Sequence, residues 1–145
     1  MAFPVPVPGM VIRYSYLWHD EHEKGREEGV KDRPCAIVVA AEPIAGRRTV
    51  IVVPVTHTPP LSSEHAIEIP APVKRRLGLD GKRSWVIVNE ANRFVWPGPD
   101  LRPAVRGEAD SVVIGHLPLK MFDQIRARFV DALRKGPARS VPRNE

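Results

Sequence analysis

The segment His19-Asp20-Glu21-His22-Glu23 packs two imidazoles and three carboxylates into five residues, which are the ligand types of a metal site. Its histidines stand three apart, no third ligand follows at a recognisable spacing, and the HExxH arrangement of zinc hydrolases is absent, so no metal cofactor is expected. His57 follows Thr56 at the end of an apolar run. Strand alternation would point it to the opposite face from Thr56, whereas a turn at Thr58-Pro59-Pro60 would redirect it. It is either a general base or a bystander. Cys35, beside Pro34 in an apolar run, reads as a small buried hydrophobe rather than a nucleophile. Lys74-Arg75-Arg76 is a compact cationic group of the kind that contacts phosphates.

The elements that must hold these groups are short. Met10 to Trp18 alternates, with Ile12, Tyr14, Tyr16 and Trp18 on one side, which predicts a strand with an aromatic face. Residues 19–33 are polar and without apolar periodicity, and predict a functional or mobile loop. Cys35 to Ala41 and Thr49 to Thr56 are apolar runs too short for helices and predict two central strands joined by a turn. Further strands are expected over Ser63 to Ile69, Ser84 to Val88 with a continuation at Arg93 to Trp96 past an irregular Asn89 to Asn92, and Ser111 to Gly115. Pro72 and Gly78 bracket a short helix. Pro118 starts the one long helix, with Phe122, Ile125, Phe129 and Leu133 at helical spacing and Gly136-Pro137 ending it. Five to seven short strands, a short helix and a C-terminal amphipathic helix predict a mainly β fold, a small, partly open barrel. It would occupy residues 9–136, between an extended lead-in at 1–8 and a flexible tail at 137–145.

Composition agrees with this and excludes other classes. Sixteen prolines in 145 residues are about twice the usual share and disfavour a helical bundle. This length fits one domain. A single cysteine cannot form an internal disulfide, the longest apolar run is far short of the roughly 20 residues of a membrane helix, and the proline-rich start lacks a basic signal region. The expected setting is cytoplasmic. The net charge of +5 is uneven: residues 19–32 hold six acids and three bases, whereas Ala71 to Gly107 holds eight bases and three acids. A basic half opposed by an acidic loop suits a polyanion that meets one face, although charged surfaces are often merely solvated.

In order and spacing the chain resembles the PemK/MazF toxins of bacterial toxin–antitoxin pairs over about residues 8–135. The similarity is carried by Pro8-Gly9 opening an aromatic strand, Arg33-Pro34 starting a buried strand after a long loop, Pro54-Val55-Thr56 ending the next, Ser84-Trp85-Val86-Ile87-Val88, and Ile114-Gly115-His116-Leu117 before the final helix. The resemblance implies an SH3-like barrel that dimerises, is held silent by an antitoxin, and cleaves single-stranded RNA without metal, by attack of the 2′-OH on the adjacent phosphate. It also implies that Arg33 and Thr56 are the catalytic pair. Arginine offers a planar fork that matches phosphate oxygens, and threonine a hydroxyl donor. For Arg33 the ordinary alternative is a salt bridge to Asp32 or a loop acid, and for Thr56 a hydroxyl bonded to backbone. Trp18, His57, Arg93 and Trp96 are the candidate RNA contacts, the tryptophans as stacking faces, with core or dimer packing the alternative for Trp96. Asn89 to Arg93 departs from the family, many members of which carry an aspartate–glutamine pair there.

Two further resemblances offer different functions. Ile69 to Gly81 is similar to the core of AbrB/MazE-type DNA-binding antitoxins, which would put Lys74, Arg75 and Arg76 on phosphates, but it covers fewer than 20 residues. A CcdB-like gyrase poison would use the same barrel, yet the expected Trp-Gly-Ile ending is missing from Pro142-Arg143-Asn144-Glu145.

Overall fold

The computed structural model describes residues 3–23, 31–136 and 139–143. The expected mainly β architecture is present, with eight strands in one sheet among the described residues, one more than the upper expectation. The strands are β1 (Met10–Tyr14), β2 (Arg33–Ala40), β3 (Arg48–Thr56), β4 (Ala66–Glu68), β5 (Trp85–Ile87), β6 (Glu90–Trp96), β7 (Val113–His116) and β8 (Arg139–Pro142). The helices are α1 (His19–Glu23), α2 (Ala71–Leu77) and α3 (Leu119–Lys135). No helix among the described residues is long and apolar enough to cross a membrane.

β2 and β3 are continuous apolar runs because the sheet is covered on both faces. One face carries Val11, Ala36, Val53 and Val86 under Phe122, Ile125 and Phe129 of α3. The other gathers Ile12, Tyr14, Tyr16, Ile37, Val52 and Phe94. Each large apolar side chain buried this way contributes about 1.5–3 kcal/mol. The aromatic side predicted for Met10 to Trp18 is therefore correct, although the strand itself ends at Tyr14.

The sheet curls at β3. The antiparallel edge of β3 opposite β2 pairs with β6 from Arg48↔Trp96 to Val52↔Asn92, and then with β5 at Val55↔Val86 and Thr56↔Trp85. Only Val88 and Asn89 separate β5 from β6, so the chain turns a corner there and opens the barrel beside the end of β3. Asn89 to Asn92 is thus not an irregular continuation of one strand, because Glu90 already begins a second. Ser63 to His65 is a turn of 3₁₀ helix rather than strand, and β4 starts only at Ala66.

The helix limits follow their proline and glycine signals. Pro118 caps α3 and Gly136, at φ 88°, ends it; Ala132, not Leu133, completes the buried stripe. Gly78, at φ 69°, ends α2, donating its N–H to Arg75 O and Lys74 O, and turns the chain so that Leu79 and Asp80 project beyond the helix.

The largest correction concerns the tail. Residues 139–142 are not a flexible end but β8, which pairs in parallel with β6 from Glu90↔Arg139 to Arg93↔Pro142. Arg143 then enters the protein with only 4% of its surface exposed. Its guanidinium contacts Asp100 Oδ1 at 3.0 Å and donates to Ser15 O at 2.6 Å and to Asn92 Oδ1 at 2.9 Å.

Candidate active site

Antiparallel pairing sets Cys35 opposite Pro54, and the same register carried two residues further sets Arg33 opposite Thr56. The start of β2 and the end of β3 therefore bring together two residues 23 positions apart in sequence. Arg33 Nη1 donates to Val55 O at 3.3 Å, and the guanidinium carbon lies 4.9 Å from the centre of the Trp18 ring. Asp32, one ordinary alternative partner for Arg33, is instead 3.5 Å from Arg102 Nε and 4.0 Å from Arg13 Nε, and the loop acids Glu27 and Glu28 lie outside the described residues. Among the described residues Arg33 has no carboxylate partner, and its buried Nε has no hydrogen-bond acceptor. A buried N–H left unsatisfied costs about 1–3 kcal/mol.

Thr56 is buried, and its Oγ1 accepts from Thr58 N at 3.1 Å. That bond occupies a lone pair and leaves the hydroxyl proton for another acceptor. β3 ends here, so the bend at His57 and Thr58 redirects His57, as the turn alternative anticipated. Arg33, Thr56, His57 and Lys31 line two adjoining clefts. The smaller, of about 120 Å³, continues to Asp80 and Ser84. The larger, of about 640 Å³, is walled by Trp18, Pro60, Leu61 and Ile87, with Asp20 and Glu21 at its edge.

Four of the six predicted site residues, Arg33, Thr56, His57 and Trp18, thus meet at one opening. Arg93 and Trp96 line neither cleft. Arg93 is exposed on β6 beside Thr49 and Pro142. Trp96 donates from its indole to Pro4 O at 3.0 Å and lies 6.2 Å from Phe94, so it follows the packing alternative. The DNA-binding reading fares no better at Lys74, whose ammonium is buried against Asp80 at 3.2 Å rather than presented to phosphate. Cys35 is fully buried, and burial pushes its thiol well above the ordinary range, as expected of an inert cysteine. Of the predicted loop 19–33, residues 19–23 form α1 and residues 24–30 lie outside the described residues.

Trp18 is held by residues that the sequence does not single out. The Asn92 side chain pairs with Leu17 like a neighbouring strand, accepting from its N–H at 2.9 Å and donating to its C=O at 2.7 Å. Glu90 Oε1 accepts from Tyr16 Oη and His19 N, each at 3.0 Å. Glu21 Oε1 accepts from Trp18 N at 3.1 Å. A polar residue at each end of Glu90-Ala91-Asn92 was the available signal.

Burial raises the Glu90 carboxyl above the ordinary carboxylate value, against the opposing pull of its hydrogen bonds. Between the unfolded value of about 4.3 and the raised folded one, the folded chain binds more protons, so this group's stabilisation is complete below that window and is lost as pH rises through it. Glu90→Gln retains the carbonyl acceptor. Its urea midpoint, measured from pH 4 to pH 8, should show a smaller decline with rising pH than the parent's and should exceed the parent's at pH 7; an unchanged difference at every pH would contradict this.

No protein-family model matches the sequence, and no curated protein is detectably similar to it.

Proposed function

We propose that this protein is a metal-independent endoribonuclease of the PemK/MazF toxin type, a cytoplasmic homodimer that cleaves single-stranded RNA and is silenced by a cognate antitoxin. The observation that carries the reading is the placement of Arg33 and Thr56 at adjacent strand ends, both lining one open cleft, where among the described residues the Arg33 guanidinium meets no carboxylate and Thr56 Oγ1 accepts a single backbone bond. RNA holds its own nucleophile. An enzyme need only align the 2′-oxygen with the scissile phosphate and stabilise the charge that grows on the phosphoryl oxygens. The Arg33 fork supplies charge-assisted donors, Thr56 supplies a neutral one, and Trp18 holds the guanidinium in place from below. Pro60, Leu61 and Ile87 offer apolar surface to an unstacked base.

The test is incubation of purified protein with single-stranded RNA in EDTA. Cleavage to fragments with 5′-hydroxyl ends is expected. Intact RNA with broken DNA in the presence of gyrase would favour the gyrase-poison alternative, and salt-sensitive duplex binding without cleavage would favour the DNA-binding one. Thr56→Ala should lower the cleavage rate roughly tenfold to a hundredfold, while Thr56→Ser, which keeps the hydroxyl, should retain most of it. Equal rates for the two variants would remove Thr56 from the reaction.

A further inference from the structure

His57 leaves the end of β3 into the cleft that holds Arg33 and Thr56, and there it meets a carboxylate brought from a distant turn. Its Nε2 is 3.1 Å from Asp80 Oδ1 and 3.0 Å from Asp80 Oδ2. Asp80 is itself fixed: Lys74 Nζ donates to Oδ1 at 3.2 Å and Lys82 N at 3.1 Å. Lys74 is 6% exposed, so the support behind Asp80 belongs to the packed body of the protein. The Gly78 turn after α2 delivers Asp80 to that position.

An ionised carboxylate only accepts hydrogen bonds. Asp80 therefore places the imidazole proton on Nε2 and leaves the lone pair of neutral His57 on Nδ1. We propose that His57 is the general base of the reaction and Asp80 its positioning residue, an inference that rests on the ribonuclease reading above. In this step His57 Nδ1 takes the proton of the 2′-OH and the 2′-oxygen bonds to phosphorus as the P–O5′ bond breaks. The 5′-oxygen leaves with the bonding pair and takes a proton from water. The products are a 2′,3′-cyclic phosphate and a 5′-hydroxyl, and His57 returns its proton to solvent. A guanidinium offers hydrogen-bond donors and no acceptor, so the dyad provides the proton acceptor that the Arg33–Thr56 pair lacks. The segment Lys74 to Asp80, which resembles part of a DNA-binding fold, gains a role as the mount for this histidine.

Among the described residues the charged groups that face His57 are Asp80 with Lys74 behind it, and Lys31, Asp32 and Arg33 along the cleft, with Asp20 and Glu21 at its edge. The experiment measures RNA cleavage from pH 5 to pH 9 by the parent, His57→Gln and Asp80→Asn. The glutamine amide can still donate to Asp80, which preserves the local fold. It should cut about a hundredfold more slowly and lose the fall in rate at low pH that protonation of a base imposes. Asp80→Asn should lower kcat about tenfold with KM unchanged. A His57→Gln rate within threefold of the parent's, or a slow variant that keeps the parent's low-pH fall, overturns the proposal. So does nitrogen-15 NMR of the parent above pH 7 that finds the His57 proton on Nδ1. A parent that leaves RNA whole sinks the ribonuclease reading and this step with it; a parent whose cleavage needs Arg33 but not His57 sinks the dyad alone.

Discussion

Arg33→Ala should lower RNA cleavage by roughly 10²–10³-fold while leaving the protein as stable as the parent, or slightly more stable. On the ribonuclease reading proposed above, the loss follows from removing a preorganised, charged donor that would face the phosphate in its transition state. The stability follows from the other side of the same geometry. Arg33 has one backbone bond, to Val55, and a stacking contact with Trp18, set against an N–H buried without an acceptor among the described residues. Truncation removes a small gain and a comparable cost. Residues kept for function at the expense of stability behave this way, whereas structural arginines do not. Arg33→Lys keeps the charge without the planar fork and should recover only part of the rate. The decisive measurement is paired: initial rates on a single-stranded RNA and urea unfolding of the same samples. An Arg33→Ala variant that cuts at the parental rate removes Arg33 from the reaction, and one that unfolds several kcal/mol more easily makes it a structural residue.

Arg143→Met should have the opposite profile, a large loss of stability. Its guanidinium is buried against Asp100 and two further oxygens, one on Ser15 and one on Asn92. Removing one partner of a buried pair costs about 3–5 kcal/mol, because the remaining charge and acceptors stay out of water. Against a typical total of about 5–15 kcal/mol this is a large share, and it corresponds to a fall in Tm on the order of 10–15 °C. The double variant Arg143→Met/Asp100→Asn should regain part of the loss, since the orphaned carboxylate goes as well. Cleavage should fall too, because Asn92 links Arg143 to Leu17 and hence to Trp18 beneath Arg33. An unchanged urea midpoint in Arg143→Met would mean that the tail does not hold the barrel together.

The parts of this fold that could be read from sequence are those whose signal is local. Pro118 and Gly136 mark α3, Pro72 and Gly78 mark α2, and two uninterrupted apolar runs mark strands covered on both faces. At the candidate site the choice of Arg33 and Thr56 comes from the family resemblance; the residues themselves show only an arginine at the start of one apolar run and a threonine at the end of the next, which antiparallel pairing brings near. What lay beyond reach depends on distant partners. Arg139 to Pro142 has one large apolar residue, Val141, and pairs with a strand about fifty positions earlier, so nothing nearby distinguishes it from a frayed end. Arg143 looks like solvated surface because arginine is seldom fully buried without a partner, and its partner is Asp100. Alternation places Arg93 outward, but the direction it faces around the barrel follows from the corner at Val88 and Asn89. The contact between His57 and Asp80 joins a strand end to a helix end across 23 residues, and no periodicity reports it.

The bond from Arg143 to Ser15 spans 128 positions. Ribosomal synthesis proceeds from the N-terminus, so Tyr16, Leu17 and Trp18 emerge early and wait for residue 143 before their final clasp exists. Contacts of such separation are slow to form and come late. The opening around Arg33 should therefore reach its finished shape only after residue 143 has emerged and β8 has docked beside β6.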